Sequence, residues 1–519
     1  MSPSSGMPER LFGRKRSFNG SCLVSSSVLW DNVWAFFNMG VVLRTPLDIP
    51  ELRAQIRQFV SIADAVACSQ VCKDWTDDFT SVVWHTIDFG LHETFRALDP
   101  QVVTRNGHRI RIIRRLQNAL DISALQNDSI CNLVLLSIHT MKSRTLIQAQ
   151  CNRIIHRNLA TLRALDCILP GSIAEHTQSF PVEGLAPRSA TSSVTIASHL
   201  TTLTLSVYHI SRTRFSEILK ASPALQSLTF VGQLYPQEGE SRAAFYQHPG
   251  VTYFASSVEG IFPPSWEDVC GSASDDPFTL LAHFPKLKTW STWTRLDHAP
   301  EPIKREIARS CPEICAFHTR IWGDLMVELL SRALSQLTEI CLASSNISLK
   351  TASAILTHRE TLTSIKNFSK PFAIYTTDPQ QDTSESITIP DRRQSTIINM
   401  IPQSCARLKT IHLVDEELDM DEVERTTWVC QNLETLFIRI RYLDTKKKVD
   451  DALWLWASAR RGQTDIGRLD KLSASQLDDE CAAADSHESR SSIEVRVARH
   501  LLQFEKLSVV WLGTKVYSA

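Results

Sequence analysis

Cys311, Cys315 and His318 stand at Cys-x3-Cys-x2-His spacing, a donor set that would suit zinc if a fourth ligand joined it. No second cluster at a suitable spacing supplies that ligand, and Cys315 adjoins a stretch with strand character. These thiols are expected in the core. Cys68 and Cys72, one helical turn apart, read the same way, as packing. The carboxylates Asp478, Asp479 and Glu480 fall in a polar stretch rather than in a plausible pocket. A Walker-type Gly-rich loop, a G-x-S-x-G elbow and an H-E-x-x-H helix are absent from the sequence. The expectation is a chain that is not an enzyme, with no catalytic residue, metal or cofactor.

Composition narrows the class further. The 519 residues are 43% apolar and 21% charged, enough for a large buried core and too apolar for global disorder. Lys+Arg 55 against Asp+Glu 56 leaves a formal charge of -1, which argues against a nucleic-acid binder held by a broad basic face. The best membrane-span candidate, Val28 to Leu43, is broken by Asp31, Asn32, Asn38 and Gly40 and falls short of about 20 apolar residues. It also starts too late for a secretory signal. Thirteen scattered Cys fit reduced thiols, so a soluble protein of the cytosol, the nucleus or both is expected. Residues 1–44 are expected to be a flexible tail.

Folded structure should begin at Pro46-Leu-Asp-Ile-Pro-Glu-Leu52. Pro50 suits the first turn of a helix, and Leu52, Ile56, Phe59 and Val60 recur at helical spacing. Ser61 followed by Asp64 has the form of a capping box, so a second helix should start near Ile62. Its apolar stripe would be Ala65, Cys68, Val71, Cys72 and Trp75. A third short helix carrying Phe79, Val82 and Val83 should end near Trp84.

Ile49-Pro50-Glu51, Val60-Ser61 with Asp64, Val71-Cys-Lys-Asp-Trp75 and Val83-Trp84-His-Thr-Ile-Asp-Phe89 together resemble an F-box. Isoleucine stands where leucine is usual before the proline, and Glu51 follows the proline directly. The resemblance makes 45–90 an F-box-like module. It implies that Ile49, Pro50, Leu52, Ile56, Val71 and Trp75 are its adaptor-binding apolar positions, some facing the partner and some holding the helices together.

Beyond residue 100 a phrase returns: apolar, two residues, apolar, one residue, and usually a third apolar. Eleven copies start at Leu133, Leu162, Leu200, Leu225, Leu287, Ile314, Leu337, Leu362, Leu408, Leu433 and Leu507. From 200 to 225, 337 to 362 and 408 to 433 the step is 25, inside the period of a leucine-rich repeat. The fourth and sixth positions lie two apart, so in a strand they share the buried face. The wider steps 225–287, 362–408 and 433–507 each imply an insertion, a poorly marked unit, or both. The insertions are placed near 233–285, 370–400 and 443–500, with polar stretches at 376–386 and 465–492. The region resembles the degenerate leucine-rich repeats that follow the F-box in many fungal adaptors.

The expected fold is therefore α/β: a short three-helix module, then over 100–519 a solenoid with a parallel sheet on its concave face and helices on its convex face. The resemblance implies a substrate-recognition adaptor of an SCF-type ubiquitin ligase. Its helical module would dock a Skp-family adaptor, and through it a cullin, while the repeats hold a substrate protein. The alternative is a leucine-rich-repeat scaffold or inhibitor-like protein without ligase coupling. The third, fifth and seventh phrase positions face away from the core, which puts Trp293, His318, Arg320, Phe437, Arg439 and Trp511 on the substrate-binding face. Aromatic and Arg residues are common binding anchors. Neither nucleic acid nor membrane is expected as a partner.

Overall fold

The computed structural model describes residues 49–91, 99–117, 121, 125, 128–139, 145–168, 185, 199–235, 246–256, 280–292, 310–319, 323–342, 347–367, 392–462 and 492–513. The expected tail at 1–44, the polar stretch at 376–386 and nearly all of 465–492 lie outside them. The chain divides into two compact units, 1–83 and 84–519.

The first unit contains α1 (Pro50–Ile56), α2 (Ile62–Ser69) and most of α3 (Lys73–His85). Pro50 opens α1 behind an extended Ile49, where its missing N–H costs nothing. Ser61 caps α2: its Oγ accepts from the Asp64 N–H at 3.2 Å and donates to the Asp64 carboxylate at 2.7 Å. Few side chains here are buried among the described residues: Ala65, Phe79 and Arg53. Trp75 packs on Phe79 with ring centroids 5.2 Å apart. Polar ties complete the unit. Arg53 Nε donates to Asp78 Oδ2 at 2.5 Å, joining α1 to α3, and the Thr76 hydroxyl reaches the Ser69 carbonyl at 2.6 Å, joining α3 to α2.

Two details depart from the sequence expectation. Phe59 does not continue the buried stripe of α1; the helix has ended, and the ring is 86% exposed. Val71, Cys72 and Trp75 lie beyond the end of α2: Val71 is 64% exposed, Cys72 is exposed rather than packed, and Trp75 belongs to α3. The stripe over-reached because a turn at Gln70 and Val71 breaks the 3.6-residue rhythm.

Among the described residues, the second unit is built on one 14-stranded parallel sheet whose spatial order is the chain order. Its strands are β1 (Thr86–Asp88), β2 (Ile112–Leu116), β3 (Leu135–His139), β4 (Ala164–Ile168), β5 (Thr202–Ser211), β6 (Ser227–Tyr235) and β7 (Tyr253–Ser256). They continue as β8 (Thr289–Thr292), β9 (Ala316–Thr319), β10 (Glu339–Leu342), β11 (Ser364–Asn367), β12 (Thr410–Leu418), β13 (Thr435–Ile440) and β14 (Val509–Leu512). Thr86–Asp88, expected within the helical module, is instead the first strand and pairs with Ile112–Arg114. The third helix ends at His85, one residue past the expected Trp84, and the strand follows it directly.

Each phrase found in the sequence becomes a strand, and parallel register lines up like positions. The fourth positions form one continuous row: Leu136, Leu165, Leu203, Leu228, then Phe254, Trp290, Phe317, Ile340, Ile365, Ile411, Leu436 and Val510. All but Val510 are buried. Burying such a side chain is worth about 1.5–3 kcal/mol relative to leaving it in water, so this row is a major source of cohesion. Phe254 belongs to β7, the poorly marked unit inside the 225–287 step.

The sixth positions form a second buried row, which changes character along the sheet. Ile138, Cys167, Leu205 and Phe230 give way to Ser256, Thr292 and Thr319, after which Leu342, Leu413, Ile438 and Leu512 restore it around a buried Asn367. Helices fill the connections, among them α4 (Pro100–Asn106), α5 (Thr145–Arg157), α6 (Arg212–Ala221), α7 (Gly323–Glu328), α8 (Leu349–Ile355) and α9 (Arg392–Ser404). Strand, connection and helix repeat in sequence, a solenoid-like α/β arrangement.

At the C-terminal end α10 (Met420–Glu424), α11 (Lys446–Arg460) and α12 (Ile493–Leu502) pack behind the last strands. Buried Trp428 donates its indole N–H to Asn399 Oδ1 at 2.7 Å and meets the His500 ring edge-on at 4.7 Å. Arg496 ties α12 to α10 by bonds of 2.7 Å to Glu424 and 2.6 Å to Asp421.

Candidate protein-interaction surfaces

In the first unit, an apolar surface is left in water. Ile49, Leu52, Phe59, Ile62, Val66 and Val71 are all exposed, and Pro50 with them. Of the six positions singled out in the sequence, Ile49, Pro50, Leu52 and Val71 belong to this surface, while Ile56 and Trp75 are half-buried. Phe59, Ile62 and Val66 join it unannounced. They were legible as apolar residues, but their exposure depends on where α1 and α2 end.

The second surface is the face of the sheet opposite the fourth- and sixth-position rows. Its N-terminal part carries a serine, a histidine and an aspartate in contact. Ser137 Oγ donates to Asp166 Oδ2 at 3.0 Å and lies 2.8 Å from His139 Nε2, which is 3.5 Å from the same aspartate oxygen. A nucleophilic triad needs the carboxylate on one ring nitrogen and the hydroxyl on the other. Here both crowd Nε2, and the serine gives its proton to the carboxylate, so the cluster clasps β3 to β4.

Midway along this face, Glu339 of β10 sits between two strands. Lys366 Nζ of β11 bonds its Oε1 at 2.6 Å, and His318 Nε2 of β9 lies 3.5 Å from the same atom. His318 first, and Lys366 with it, hold the Glu339 carboxyl down at about 2 against the opposing effect of partial burial. Cys341 stands between His318 and Lys366 in register, its thiol pushed up to about 12 by burial and so not a nucleophile near neutrality. The Cys311-Cys315-His318 spacing does not converge. Cys311 is buried with its Sγ toward the Leu281 and Phe284 carbonyls, Cys315 points toward the Lys288 carbonyl, and His318 faces Glu339. Among the described residues no group of His, Cys, Asp and Glu is placed to hold a metal ion.

At the C-terminal end the same face carries three stacked rings on adjacent strands, His412, Phe437 and Trp511. His412 and Phe437 have centroids 4.6 Å apart at 39°, and Phe437 and Trp511 are 6.2 Å apart at 19°. Gly513 permits this pose: a Cβ there would fall 1.6 Å from Trp511 Cη2, so the indole lies over the glycine backbone. Arg439, two residues beyond Phe437, is half-buried on the same face. The nearby carboxylates Glu417 and Asp419 are engaged by Arg441 at 3.7 and 3.3 Å, and among the described residues Arg439 has no hydrogen bond or ion pair.

Of the expected substrate-face residues, the structure brings Phe437, Arg439 and Trp511 together. His318 shares the face but is four strands from β13, roughly 19 Å at the usual strand spacing. Trp293 and Arg320 lie outside the described residues. His412, Glu339 and Lys366 were missed, although their fifth, third and fifth phrase positions marked them. No protein-family model matches the chain, and no curated protein matches it. No helix among the described residues is long and apolar enough to cross a membrane.

Proposed function

We propose that this chain is a substrate-recognition adaptor of an SCF-type cullin ubiquitin ligase, with its helical unit resembling an F-box and its sheet unit built of degenerate leucine-rich repeats. The observation that carries the reading is the exposed apolar surface of the first unit, Ile49, Leu52, Phe59, Ile62, Val66 and Val71. A helical cap needed only to close a core would keep such residues covered, whereas a docking module leaves them for its partner. The partner is a Skp-family adaptor, which connects to a cullin. The sheet face supplies a second, chemically different surface for a substrate protein. No catalytic group is required of this chain: it holds the substrate near a ubiquitin-charged enzyme and raises its effective concentration. The protein acts in the cytosol, the nucleus or both.

Co-purification with a Skp-family adaptor tests the reading. The full chain captures the adaptor, and the double change Ile49→Ala with Pro50→Ala weakens capture while leaving the sheet unit folded. Undiminished capture by that variant removes the F-box assignment. A folded wild-type chain that captures no adaptor leaves the alternative, a repeat scaffold or inhibitor-like protein without ligase coupling.

A further inference from the structure

The end of the sheet face at β12–β14 combines two features that ask for different things from one partner. The His412–Phe437–Trp511 stack is a half-buried π surface spanning three strands, its rings 4.6 and 6.2 Å apart. Beside it, Arg439 is a half-buried cation whose neighbouring carboxylates are already taken by Arg441. Farther along the face, Glu339 is likewise engaged, by Lys366 and His318. What distinguishes Arg439 is that, among the described residues, its guanidinium has no hydrogen bond or ion pair. Stacked rings favour an aromatic side chain laid against them, and a partly desolvated guanidinium favours an anionic oxygen pair in its plane.

We infer that this end of the face takes an extended segment of a partner protein in which an Asp or Glu stands within two residues of an aromatic side chain. The aromatic ring packs on the Phe437–Trp511 stack, and the carboxylate bonds Arg439. The two groups lie on one strand, Phe437 and Arg439 being two positions apart, so a partner in extended conformation presents its own alternate residues at matching spacing. This inference rests on the reading of the sheet face as the substrate surface and names the chemistry of what it recognises. The open N–H groups of the half-buried Arg439 guanidinium select a carboxylate, which accepts two of them, over a lysine or arginine, which accepts none.

The test uses the full chain and an array of immobilised nonapeptides that hold Trp or Phe at the centre with Glu, Gln or phosphoserine two residues on. No ligase component is present, so the outcome is independent of adaptor docking. The expected result is binding to the Trp–Glu and Phe–Glu peptides, with the Gln peptides weaker by about tenfold. Arg439→Gln abolishes the Glu-over-Gln preference. Gly513→Ala, which displaces the indole without changing any ring, weakens every aromatic peptide alike. Unchanged melting of both variants shows that the fold is intact. A phosphoserine peptide that binds far better than the Glu peptide overturns the carboxylate assignment in favour of phosphate. Equal Glu preference in the wild type and Arg439→Gln overturns the role of Arg439, and binding to no peptide overturns the inference as a whole. In that last case, the double variant Phe437→Ala with Arg439→Ala separates the two levels. If it loses a protein partner that the wild type holds, the face remains the substrate surface and only the chemistry assigned to its ligand fails.

Discussion

Asn158 and His358 do the same work in two different repeats. Each stands four residues before a strand phrase and accepts a hydrogen bond from the first residue of the phrase before it: Leu133 N–H to Asn158 Oδ1 at 2.9 Å, and Leu337 N–H to His358 Nδ1 at 3.4 Å. Each also donates into the preceding connection, Asn158 to the Ile130 carbonyl at 3.2 Å and His358 to the Leu330 carbonyl at 2.7 Å. A buried backbone group left without a partner costs free energy, and these side chains remove that cost where one unit stacks on the next.

The pairing gives a stability prediction. Asn158→Ala strands a buried N–H and a buried carbonyl, and should lower stability by about 2 to 3 kcal/mol. His358→Asn keeps one donor and one acceptor and should cost less than His358→Ala. Denaturant unfolding followed by circular dichroism measures both; equal losses in the two His358 variants would remove the proposed equivalence.

Acid should loosen the stack. Burial holds His358 and His248 below the usual histidine range, and pushes His500 down to about 4. The folded state therefore binds fewer protons than the unfolded state between pH 6.5 and 4, and stability falls as the pH falls through that window. For His500 alone the loss by pH 5 is on the order of 2 kcal/mol. Its replacement by Leu should flatten the decline by that order, read from denaturation midpoints at pH 7 and pH 5. A decline as steep as the wild type's would assign the acid sensitivity elsewhere.

Thiol reactivity should separate native from unfolded protein. None of the ten described cysteines is in a disulfide, and burial pushes Cys151, Cys341, Cys405 and Cys430 up to about 12. Exposed Cys72 and Cys131 should react promptly with a thiol reagent at pH 8 while the buried four wait for unfolding. A count in denaturing, non-reducing buffer should recover most of the 13 cysteines. Prompt reaction of Cys405 or Cys430 in native protein would contradict the packing of the C-terminal units.

Phe59 tests the docking surface at one residue. Its ring makes little contact within the chain, so Phe59→Ser should leave the melting temperature nearly unchanged while lowering capture of a Skp-family adaptor by about tenfold. A melting temperature well below wild type would show that Phe59 is needed for the fold rather than for docking.

The strand phrases were readable because a parallel register repeats one residue pattern at one depth, and Leu203, Leu228, Ile340, Ile365, Ile411 and Leu436 keep it. β7 could be expected only as a poorly marked unit, because Val251, Phe254 and Ser256 replace the usual leucines, the last with a hydroxyl. β1 escaped because it runs straight on from a helix. In the candidate face, positions could be counted but partners could not. That Lys366 and His318 both take Glu339, while Arg439 is left over, depends on distances between strands that no single phrase contains. The staples Asn158 and His358 share a place and not a residue type, so no motif marks them.

A sheet whose strands pair only with their sequence neighbours behaves like a row of stacked bricks, as strong as its weakest joint. The sixth-position row is least apolar at β7–β9, where it changes from Leu205 and Phe230 to Ser256, Thr292 and Thr319. Ser256 Oγ and Thr292 Oγ1 are buried there without a hydrogen-bond partner among the described residues. A break at this seam would leave an N-terminal block and a C-terminal block, each still joined by its own apolar rows. The stacked rings and Arg439 travel with the C-terminal block.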